Sequence, residues 1–377
     1  MTTDEAGRAG CVVRVVNIYA IPWSFNGELN DDEGEPHDLG GLEQHYALYK
    51  EQLPRLLPPR VLRDGIGNDV KLAQAVDGMA VADARAELFT LPSKQVVLAV
   101  TMSLNGGALT DTQQVESIAT VLEQCISGQI MLGGRRLETA LPEKLPKRLP
   151  DGGKGFSRDV PGGSLLPERH QLVFMSRSAP VQPVPSQQVI DKILYRSTPP
   201  YRPEFVDPRR PEQLNSPRQP ATNGVTGQAR PSGLLRPYHP DADQHDAEQL
   251  PTLGVVTPYA SLLYGHRDYV EASIFLSTVH AVGTAARFRH IWRESYQQVL
   301  QFREQKQAKV TGVQTRDDLE ILADNLGNLE FDLTFSVEFP LLRIETFQSD
   351  LYKAMDLGTQ ANTLSQMFDC STNSVAV

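Results

Sequence analysis

The chain has 377 residues, enough for two modest domains, with an ordinary apolar fraction of 40% and charged fraction of 22%. A net charge of −10 and a pI near 5.4, with no run of five Lys or Arg, exclude a nucleic-acid binder that neutralises phosphates through a basic surface. Cys11, Cys125 and Cys370 stand far apart without a CxxC pair, which excludes a disulfide framework and a cysteine zinc site and fits a reducing, cytoplasmic setting.

The opening MTTDEAGRAG is acidic and polar, unlike a signal peptide, and no apolar run approaches the roughly 18 residues that a bilayer span needs. The run CVVRVVNIYAIPW is rich in β-branched residues and predicts a buried strand that Pro22 stops. An acidic loop follows over 24–41, then a helix with Leu42, Tyr46, Tyr49 and Leu53 on one stripe. GMAVADARAELFTL reads as a strand or a short helix, and KQVVLAVTMSL as a strand apolar on both faces. A helix then starts near Thr110 or Thr112 and buries Val115, Ile118, Val121 and Leu122. Residues 133–169 read as an irregular connection. HQLVFMSR predicts another strand, and SQQVIDKILYR a short helix.

Together these predict an α+β domain over 11–197 with a compact mixed sheet, an order of elements that a ferredoxin-like layout fits. Residues 198–251 carry eleven prolines and predict a flexible, partly polyproline-II loop. LGVVTPYASLLYG, within 252–265, reads as one strand returning to the sheet.

Residues 266–370 predict a long antiparallel, coiled-coil-like helical hairpin. Asp268 caps its first helix, with Glu271 at capping-box spacing. Val282, Ala285, Phe288, Trp292, Tyr296, Val299 and Phe302 form a stripe meant for packing. A second helix from Thr315 carries Leu319, Leu322, Leu326, Leu329 and Leu333 and continues through Met355, with Pro340 as a kink. Each helix would run about 60 Å at about 1.5 Å per residue.

Chemistry is sparse in this pattern. His266-Arg267-Asp268 matches the kinase triplet, but Ser273 stands where the magnesium-binding Asn is required, so the triplet reads as a helix start. HPDADQHDAE, over 239–248, lacks EF-hand spacing and reads as a solvated acidic loop. The glycine pairs of 105–108, 133–136 and 151–157 match no phosphate-loop pattern. Of these, Asn105, Gly106, Gly107 and Thr110 sit between a strand and a helix, where a helix N-terminus could hold an anion. No catalytic residue, metal ligand or cofactor is assigned. Trp292, Phe331, Phe335 and Phe339 exceed what one hairpin can bury, so they predict an association seam toward a second copy or a protein partner.

An α+β domain leading into very long helices, ending in the stalk-like FDLTFSVEFPLLRIETFQSDLYKAMDL, resembles the soluble part of CorA-like membrane proteins. That resemblance implies a cytoplasmic domain and a stalk ahead of two membrane helices bearing Gly-Met-Asn. The chain contains neither that tripeptide nor a spanning run, so it implies layout without transport. Three readings follow: a non-enzymatic interaction or sensor module working through the hairpin; a nucleotide- or anion-binding enzyme with its site near Asn105; and the soluble part of a truncated CorA-like protein.

Overall fold

The computed structural model describes residues 12–27, 62–77, 80–91, 93–105, 112–126, 128–147, 153, 155–159, 165–176, 187–196, 253–264, 268–308 and 346–375. Among the described residues, eleven strands come in chain order: β1 (Val12–Phe25), β2 (Leu62–Gly67), β3 (Val70–Leu72), β4 (Ala80–Thr90), β5 (Gln95–Asn105), β6 (Ile130–Leu132), β7 (Arg135–Arg136), β8 (Phe156–Arg158), β9 (Arg169–Ser176), β10 (Leu253–Val256) and β11 (Ala260–Tyr264). The helices are α1 (Thr112–Ile126), α2 (Leu137–Lys144), α3 (Gln187–Arg196), α4 (Asp268–Ala308), α5 (Thr346–Ala354) and α6 (Leu357–Val375). The chain is therefore α+β, with a mixed sheet.

The main sheet runs β10-β11-β9-β1-β5-β4-β2, with β8 taking over from β9 against the end of β1. Its pairings are antiparallel except β11 with β9, which is parallel. The four central strands β9, β1, β5 and β4 stand in the order fourth, first, third, second of their own succession.

Strand side chains alternate between faces, so a central strand feeds two cores. In β1, Val13, Val15, Tyr19 and Ile21 join one core, while Val16, Ile18 and Ala20 join the other. β5 divides in the same way, with Val96, Leu98, Val100 and Met102 on the first face and Val97 and Ala99 on the second. The first face is covered by α1, α2, α3 and the small sheet β3-β6-β7. The second is covered by α4, α5 and α6, through Val279, Val282, Ala286, Ile291, Phe347, Leu351, Leu364 and Phe368.

Several sequence expectations change. β1 does not stop at Pro22. The strand shifts register between Ala20 and Ser24, so the missing N–H of proline falls at an irregularity, and its carbonyl accepts from Asp159 N at 3.0 Å. GMAVADARAELFTL forms a strand, β4. The run read as one strand near 260 divides in two around Thr257, whose hydroxyl accepts from Ala260 N at 3.0 Å and donates to Ala260 O at 2.7 Å. The connection read as irregular holds β7, α2 and β8. Gly133 and Gly134, both left-handed at φ +59° and +76°, make the two-residue turn of the β6–β7 hairpin.

The long antiparallel hairpin is not seen. Its first helix is present as the 41 residues of α4. Residues 309–345 lie outside the described residues, as do 42–53 and the Pro-rich stretch. The helix expected to continue through Met355 is broken there, because Asp356 turns left-handed at φ +56° and separates α5 from α6.

Two ion pairs lie between α4 and the sheet. Near its start, Glu271 is buried and pairs with Arg14 of β1, which also lies 5.2 Å over the Phe174 ring. Besides its capping-box spacing, Glu271 thus has a distant partner in Arg14. Farther along, Arg289 pairs with Glu168, whose carbonyl accepts from Ala20 N at 2.9 Å. Between them Gly283 crosses the sheet so closely that a Cβ there would stand 2.1 Å from Leu91 Cδ1 and 3.3 Å from Val97 Cγ2.

That close approach makes a prediction. Gly283→Val should cost about 2–3 kcal/mol through overpacking, and pairing it with Leu91→Ala should recover part of the loss. Urea unfolding of the four members of this cycle tests it. Additive losses would mean that the two side chains do not meet.

Candidate functional site

Of the sequence-predicted residues, Asn105 ends β5, paired with Val12 and Ala80. Gly106, Gly107 and Thr110 lie outside the described residues, so the anion site is not assembled in what the structure describes. Phe331, Phe335 and Phe339 also fall outside. The HRD triplet retains only Asp268, the first residue of α4.

Trp292 is described, and its surroundings are not those of a packed stripe. Ala281, Ala285 and Phe288 follow helical spacing and are buried on the sheet, and the next two positions of that stripe are Trp292 and Tyr296. These are 50% and 51% exposed, with rings stacked at 5.6 Å and 3°. The stripe is real, but α4 outruns the sheet that covers it. On the other flank Ile291 and Ser295 remain buried.

One turn earlier lies a polar seam that no local motif marks. Glu168 leads into β9 and Asp159 follows β8, so both sit beside the end of β1. Asp159 accepts a hydrogen bond from Ser24. From α4, Arg289 meets Glu168, with Arg293 nearby, while His290 lies among Arg287, Arg293, Asp159 and Glu294. Burial raises the Glu168 pKa, and Arg289 and Arg293 only partly oppose it. Burial first, then Arg287, lowers that of His290. Perturbed ionisable groups gathered in one place mark a candidate site.

Its chemistry is not that of a nucleophilic triad. The Ser24 hydroxyl is committed to a carboxylate, and His290 Nδ1 has no partner among the described residues. Nor does any group of three His, Cys, Asp or Glu suited to a metal occur among the described residues.

Two further histidines line the α4 side of the sheet. His170 shares a 2.8 Å hydrogen bond with Ser261, and burial pushes it down to about 3 against the opposing Pro258 carbonyl. His280, on α4, is likewise pushed to about 3 by burial, and its Nε2 has no partner among the described residues. On the opposite face, Gln171 donates to Asn17 Oδ1 at 2.6 Å and Tyr19 donates to the Cys125 carbonyl at 2.6 Å. Burial pushes the Cys125 thiol up to about 12, so it is an inert packing residue.

No described helix is long and apolar enough to cross a membrane. Comparison with protein-family models, curated proteins and solved structures returned no match, so the resemblance to CorA-like proteins gains no support from them.

The buried histidines predict acid lability with a definite sign. Both are depressed from 6.5 to about 3, so the unfolded chain takes up their protons first. Their stabilisation is whole above about pH 6.5 and is lost as pH falls toward 3, at up to about 1.4 kcal/mol per pH unit for each. Glu168, raised, acts oppositely, while His290, also lowered, acts with them. Urea midpoints should therefore drop between about pH 7 and about pH 5, and His280→Leu should flatten the drop by roughly half. An unchanged slope in that variant would contradict the assignment.

Proposed function

We propose that this chain is a non-enzymatic interaction module that assembles with a second copy of itself through the outer half of α4. The observation that carries the reading is the Trp292–Tyr296 pair, half-exposed and continuous with a stripe that is buried at Ala281, Ala285 and Phe288. Two large aromatic rings left to water on one helical face favour association, since each buries a large area at small conformational cost. Four residues apart, they suit an isologous crossing in which the same turn of each copy meets its mate. The remaining architecture is a support: the fourth-first-third-second strand order is that of a ferredoxin-like core, with α4 laid across it. In this reading α4 is the first arm of a long hairpin whose second arm includes the leucine-periodic residues from 319 onward. The seam beneath the aromatic pair gives the module its sensor character. The setting we propose is cytoplasmic.

Light scattering on the full chain tests the reading. The chain should have the mass of an oligomer, and the double variant Trp292→Ser, Tyr296→Ser should return it to a monomer with unchanged far-UV circular dichroism. A monomeric parent, or an oligomer indifferent to both substitutions, would overturn it.

A further inference from the structure

Glu168 and Arg289 meet where α4 leaves the sheet. Phe288 is buried, and Trp292, the next position on its stripe, is half-exposed. The pair is unevenly covered. The Glu168 side chain is 9% exposed and the Arg289 side chain 37%. Glu168 Oε2 has no hydrogen-bond partner among the described residues. The guanidinium therefore keeps much of its hydration, while the carboxylate loses nearly all of its own with one oxygen unbonded. A buried charge so partnered costs more to desolvate than its ion pair returns.

We propose that Glu168 is a proton-operated latch on α4: neutral, it lets the helix lie flat against β9, and ionised, it loosens the turn that carries Trp292 and Tyr296. The consequence for assembly rests on the association reading above.

The sign follows from the placement. Lifting the turn returns the carboxylate to water, so the docked state holds the proton more tightly than the lifted one. Raising the pH then favours lifting. The raised pKa of Glu168 agrees, burial outweighing both arginines. Other charged groups face the seam. From α4 come Arg287, Arg289, Arg293 and Glu294, and from the turn after β8 comes Asp159. His290 and His170 are both held toward neutrality by burial and work in the opposite direction, favouring lifting in stronger acid. Glu168 and the two histidines thus act on the seam in opposite directions as pH changes.

The chain has two tryptophans, and Trp23 is buried, so Trp23→Phe leaves Trp292 as the reporter. Acrylamide quenching of Trp292 in this full-length variant is followed upward from about pH 4.5 to about pH 8.5. The expected result is a single-step rise in quenching as pH increases, lost when Glu168→Gln is added, because the amide keeps the shape of the neutral acid. Equal far-UV circular dichroism confirms that both variants are folded. A flat profile in the parent, or the same step in Glu168→Gln, would overturn the latch. Light scattering on the same samples separates the two ideas. A quenching step in a protein that is monomeric throughout keeps the latch and defeats self-association; an oligomer with flat quenching does the reverse.

Discussion

The structure depends on one constraint: its central sheet is apolar on both faces and must be covered twice. In β1 and β5, neighbouring residues point into different cores and both sets are buried, so removing either cover exposes half of each strand to water. At about 25 cal/mol per Å² of apolar surface, exposing either set is costly. The first face is closed by elements connected locally to its strands. The second waits for α4, α5 and α6, which come from the last third of the chain. The helical third therefore completes the core.

Given that demand, the placement of α4 follows from three points along it. Glu271 meets Arg14 at one end of β1, Gly283 allows contact with Leu91 and Val97, and Arg289 meets Glu168 beside Ala20. Beyond the last point Ile291 and Ser295 stay buried on one flank, while the apolar stripe runs on into the half-exposed Trp292 and Tyr296. A helix longer than its support thus carries the candidate interaction surface, and the partly compensated charge of Glu168 lies at the point of departure.

Much of this was legible in the sequence where physics is local. Runs such as VVLAV admit little besides a doubly buried strand, and the spacing of Val115, Ile118, Val121 and Leu122 marks the buried face of α1 correctly. Of the stripe through Phe288, Trp292 and Tyr296, only Phe288 is buried. What it could not reveal is where the supporting sheet ends, since periodicity reports a face and not its neighbour. Turn chemistry is hidden at Thr257, where a hydroxyl reverses the chain inside what looks like one apolar run. Glu271 suits a capping box by spacing, and no local pattern announces the arginine 257 positions away that pairs with it. The seam had no local signal: Ser24, Asp159, Glu168 and Arg289 are scattered along the chain and joined only by the fold.

The central claim is that the first half of α4 belongs to the sheet's second core. Native-state hydrogen exchange, read by mass spectrometry along α4, tests it most directly. The account predicts that amides of residues 274–291 open together with those of β1 and β9, at the same free energy, while the turns beyond Trp292 open more easily. If residues 274–291 exchanged early while β1 and β9 stayed protected, α4 would be an appendage, and the two-sided account of this fold would fail.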